Sequence, residues 1–94
     1  MREQRIKDYL RRNPQTLEVA GRELSAHALF RMLERNIHAA HIEAALAAPL
    51  VTRVTRDGRE WRTIYTGEYA TVITADAHIL TVSHGVLNAP VIAA

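Results

Sequence analysis

The 94-residue chain contains no cysteine. That absence excludes disulfides and cysteine-ligated zinc, and it fits a cytoplasmic location. Aromatic residues make up only 5% of the chain, and Trp61 is the single tryptophan; a lone Trp most often ends in a core. No apolar run approaches 18 residues, so no membrane span is expected. The basic start Met1-Arg2-Glu3-Gln4-Arg5 is not followed by an apolar stretch, so no signal peptide is expected either. Nothing repeats, and no segment is of low complexity. Neither sign of charge dominates: 12 basic and 10 acidic side chains leave a formal charge of +2, which permits contact with nucleic acid without requiring it. What is present, 48% apolar and 23% charged residues, is the balance of one ordinary globular domain over residues 1–94.

Periodicity divides the chain. Residues 2–12 read as a short basic helix or arm with Ile6, Tyr9 and Leu10 on one strip, closed by Asn13-Pro14. Residues 15–24 are ambiguous. Leu17 and Val19 alternate like a short edge strand, but Gly21 interrupts the run. Ser25 to Ile37 is the clearest helix, with Ser25 as N-cap and Asn36 as a residue able to adopt the left-handed stop. Its spacing puts Ala26, Leu29, Phe30, Leu33 and Ile37 on one apolar face, with His27, Arg31, Glu34 and Arg35 opposite. A second helix over about 39–48 ends at Pro49, with Ile42, Ala45 and Leu46 inward. His38 and His41 at its start, with His27 one helix earlier, invite a zinc reading. His-x-x-His without Cys or a close third ligand is too little for one, so no metal or cofactor is expected.

From Leu50 the period becomes two. Strands over 50–56, 60–66, 69–75 and 79–84 are expected, and Asn88, Pro90 and the Ala-rich end over 85–94 read as a loose tail. The predicted fold class is α+β: N-terminal helices packed on a four-stranded antiparallel meander, with the core over 24–84. Asp57-Gly58 is the strongest hairpin signal. A two-residue loop there pairs Val54 with Trp61, Thr52 with Thr63, and Arg53 with Arg62. Two arginines directly opposed would repel, so they need an anion such as phosphate or must splay into water. Ile73 and Leu80 would lie beside them; Trp61, Tyr65, Thr52, Thr63 and Thr81 would share the other face. Which face the helices cover is open. If the aromatic face is free, Trp61 can stack on bases, with Arg53 and Arg62 as further nucleic-acid contacts.

The pattern Ser25-x-His27-Ala28-x-x-Arg31-Met32-x-x-Arg35-x-Ile37, with Ile79-Leu80-Thr81-Val82 as a later strand, resembles a small bacterial family of unknown function akin to the BrnT and RelE-like toxins. The resemblance spans about residues 24–84 and departs at Asn36, where Gly is expected, and at His38, where Ser or Thr is expected. It implies a RelE-like fold and a metal-independent ribonuclease held by an antitoxin protein, with RNA or the ribosome as target. His27 would exchange protons, Arg31 and Arg35 would hold the developing phosphorane charge, and Tyr65 or His84 would supply the second proton. The alternative is a non-catalytic module that binds a protein or nucleic acid through the same residues, or a stripe that is structural only.

Overall fold

The computed structural model describes residues 4, 5, 8 and 18–88. Gln4, Arg5 and Asp8 are helical; the rest of the expected N-terminal helix, and the end of the expected tail from residue 89, lie outside the described residues. The described chain runs β1 (Glu18–Val19), β2 (Arg22–Leu24), α1 (Ala26–Glu34), α2 (Ala39–Ala47), β3 (Val51–Asp57), β4 (Glu60–Thr66), β5 (Thr71–Ala75) and β6 (His78–Ser83). All six strands form one sheet in the order β1-β2-β6-β5-β4-β3.

The expectation of a four-stranded antiparallel meander is therefore corrected. The sheet has six strands and is mixed, because β2 pairs parallel with β6, Leu24 opposite Ile79. The extra strands come from the ambiguous segment. Gly21 does not interrupt a strand there; it makes a turn. Ala20 (φ 54°) and Gly21 (φ 76°) both take positive φ, as a two-residue type I′ hairpin loop demands, and Val19 pairs with Arg22 across it.

α1 begins as expected. The Ser25 hydroxyl accepts from the Ala28 N–H at 3.0 Å. It ends in a Schellman motif, with Asn36 at φ 52°, its N–H donating to the Leu33 carbonyl and the Ile37 N–H to that of Met32. Its orientation differs from the expectation. Leu33 is 62% exposed, whereas Ala28 is fully buried and Met32 packs on the core. The cause is visible in the bonds to β6. The Ser25 N–H donates to the Ile79 carbonyl, the Ser25 hydroxyl to Leu80 (2.9 Å) and the Arg35 guanidinium to Val82 (2.7 Å). Positions 25, 28, 32 and 35 form one helical stripe. Three hydrogen bonds from Ser25 and Arg35, with the small Ala28 and the flexible Met32 between them, seat the helix, and hydropathy alone points to the neighbouring stripe.

α2 packs against β5, with contacts to β1 and β4. Ile42 and Ala45 close the core over Val72, Ile79 and Val82, all buried. Since ladder partners share a face, the helix-facing side of the sheet carries Val72, Tyr65 and Thr52 in one row, and Thr74, Thr63 and Val54 in the next. The helices thus lie on the Trp61 and Tyr65 side. Thr81 is on the other side, opposite Ile73, because a register shift inserts Leu80 into β6.

Candidate functional site

The β3–β4 hairpin turns one residue later than expected. The loop is Gly58-Arg59; Gly58 alone takes positive φ (63°), the arrangement of a type II′ turn with Gly in the first central position. The ladder therefore shifts by two. Arg56 faces Trp61, Thr55 faces Arg62, and Arg53 faces Ile64. The opposed arginine pair does not form. Arg62 is held between Asp57 (3.1 Å) and Glu60 (3.0 Å), and among the described residues the Arg53 side chain has no ion pair or hydrogen bond.

The helices leave β3 and the tip of the hairpin bare. Every residue of β3 is exposed on both sides of the strand, and Trp61 is 61% exposed rather than core. The Arg56 guanidinium lies 5.3 Å from the centre of the Trp61 ring, while its Nε donates to the Gly58 carbonyl. Farther along the same face the Arg22 guanidinium stands 5.7 Å from the Tyr65 ring. Two cation–π pairs thus lie on the helix side of the sheet, the Arg56–Trp61 pair exposed and the Arg22–Tyr65 pair half-buried.

The residues grouped for RNA cleavage are placed as follows. His27 is half-buried on α1, one turn from Arg31. The Arg31 guanidinium is paired with Glu34 at 2.6 Å, and Arg35 is engaged with the Val82 carbonyl. Tyr65 belongs to β4, two strands beyond β6, on which α1 packs, a lateral offset of about 10 Å. His84 follows β6; its carbonyl accepts from Thr71 Oγ1, and its Nδ1 is buried with no partner among the described residues. The structure therefore brings Arg56 to Trp61 and His27 to Arg31, but not the four proposed catalytic residues to one hollow. Arg53 and Arg62 lie on the face opposite Trp61.

One feature escapes sequence reading. A cleft of about 280 Å³ opens at the base of the hairpin, walled by His41, Ala44 and Ala48 of the α2 region and by Leu50, Glu68 and Tyr69. The His41 ring sits 5.2 Å from that of Tyr69. The small side chains on the outer side of α2 are the only sequence trace of it. Beside it, Val86 and Leu87 donate their N–H groups to the carbonyls of Gly67 and Glu68, and Asn88 bonds to the Tyr69 carbonyl. Residues 85–88 of the expected loose tail are thus tied to the hairpin base. Among the described residues no three metal-ligating side chains gather, and no helix is long and apolar enough to cross a membrane. No family model matches the chain, and no similar curated protein or solved structure is found.

Proposed function

We propose that the chain is a non-catalytic module that docks a protein partner on the β3–β4 hairpin and its base. One observation carries this reading. Of the eight large hydrophobic residues exposed among those described, seven belong to the hairpin or its base: Leu50, Val54 and Trp61 on or entering the hairpin, Tyr69, Val86 and Leu87 at its base, and Val51 on the hairpin's other face. Scattered exposed apolar residues are ordinary, but a concentration of them marks an interaction surface. An exposed Trp flanked by Arg is the kind of anchor that carries interface energy.

The test is affinity capture from the source cells with wild type and with Trp61→Ser and Val54→Ser. A defined partner retained by wild type and lost by both variants, with unchanged melting, supports the reading. The rival is the RelE/BrnT-like ribonuclease, restrained by an antitoxin. The helix motif and the adjacency of His27 and Arg31 speak for it. Growth arrest with RNA breakdown on expression, abolished by His27→Ala in a folded protein, would replace the module reading.

A further inference from the structure

The sheet ends differently on its two sides. At one edge β1 is two residues long; at the other β3 runs for seven, with no proline and an unbroken register. The two-residue loop makes Asp57 and Glu60 a hydrogen-bonded pair, and alternation along an antiparallel ladder then turns the N–H and C=O groups of Thr52, Val54 and Arg56 away from β4. Among the described residues no strand pairs with that outer edge. A long, unbroken, β-branched edge of this kind is a template for another strand.

The charges on β3 select which strand. On the face away from the helices the order is Val51, Arg53, Thr55, Asp57. A cation and an anion stand two residues to either side of Thr55. Such a segment complements its own antiparallel copy. With Thr55 opposite its twin, Arg53 of each copy faces Asp57 of the other, and the outward backbone groups of Val54 meet those of Arg56. Centring on Arg53 or on Arg56 instead opposes like guanidiniums, and centring on Val54 leaves Arg53 facing Thr55. Only the Thr55-centred register makes both ion pairs.

We propose that a second copy of this chain adds to β3 along its outer edge, antiparallel and two-fold symmetric about Thr55, so that two sheets become one with all helices on the same side. The interface is the strand edge rather than the apolar face, so it stands independently of the partner-binding reading above. Val54 of each copy then lies opposite Arg56 of the other.

Three measurements test it. Sedimentation of the wild type across the micromolar range gives a monomer–dimer equilibrium. Arg53→Glu weakens dimerisation by about tenfold or more, since it turns two attractions into repulsions; Asp57→Arg does the same and also removes the pair with Arg62 of its own chain, so the double variant recovers part of the loss. Thr55→Cys is the decisive probe, because the natural chain has no cysteine to compete. Directly opposed residues of a non-hydrogen-bonded pair have Cα atoms about 4.5 Å apart, within disulfide reach, so mild oxidation of this variant yields a covalent dimer. A wild type that stays monomeric, or a dimer that neither responds to the charge swaps nor cross-links in the Thr55→Cys variant, overturns the proposal. Circular dichroism of each variant separates loss of pairing from loss of fold.

Discussion

The two halves of the sheet are written in the same residues and buried to opposite degrees. In β5 and β6, Val72, Ile79 and Val82 are fully buried. On the helix side of β3 and β4, Val54 and Trp61 are more than half exposed. All these strands alternate with period two and are rich in β-branched residues. The difference comes from the helices: α1 lies on β6 and β2, α2 on β5, and neither extends over β3. Alternation specifies that a strand forms and which residues share a face. Whether that face meets a helix or water is set by where the helices are anchored, and α1 is anchored by Ser25 and Arg35 to carbonyls of β6.

Substitutions on either side of this divide should differ in cost. The largest effect is expected at Ile42, fully buried between α2 and the sheet. Ile42→Ala should lose about 2–5 kcal/mol, read as a fall in Tm of at least about 8 °C. A loss as small as that of a surface change would mean that the helices are not seated as described. Ser25→Ala should cost about 1 kcal/mol, because it removes the cap of α1 and the bond to Leu80 together; urea titration would measure it. An unchanged midpoint would show that the anchoring stripe does not position the helix. At the bare end, Val54→Thr should alter stability by no more than about 0.5 kcal/mol. A larger loss would place Val54 in an interface that survives in dilute solution.

Much of this was legible in the residues. Ser25 and Asn36 announce the ends of α1 through cap chemistry, and Pro49 closes α2. The periods after Leu50 match four observed strands. Other features were hidden for identifiable reasons. The β1–β2 hairpin is short and turns on Ala20, a residue that rarely accepts positive φ. The β3–β4 register depended on whether Gly58 takes the first or the second place of its loop, and Asp57-Gly58 points to the wrong one. α1 is seated by polar bonds to β6, which hydropathy does not register. For the candidate site, the adjacency of His27 and Arg31 follows from helical spacing, whereas the separation of Tyr65 from them depends on strand order. The cleft beside Tyr69 joins α2 to a turn more than twenty residues away, and no local pattern encodes it.

The parallel pairing of β2 with β6 has a consequence for how the molecule comes into being. Leu24 meets Ile79, and the seat of α1 is built from carbonyls near position 80. During synthesis, both helices emerge long before the surface that receives them exists. A nascent chain halted after β5 has nowhere to put Ala28 or Met32. Contacts so distant in sequence form slowly as a rule. Until β6 arrives, α1 lacks the strand that it mainly packs on.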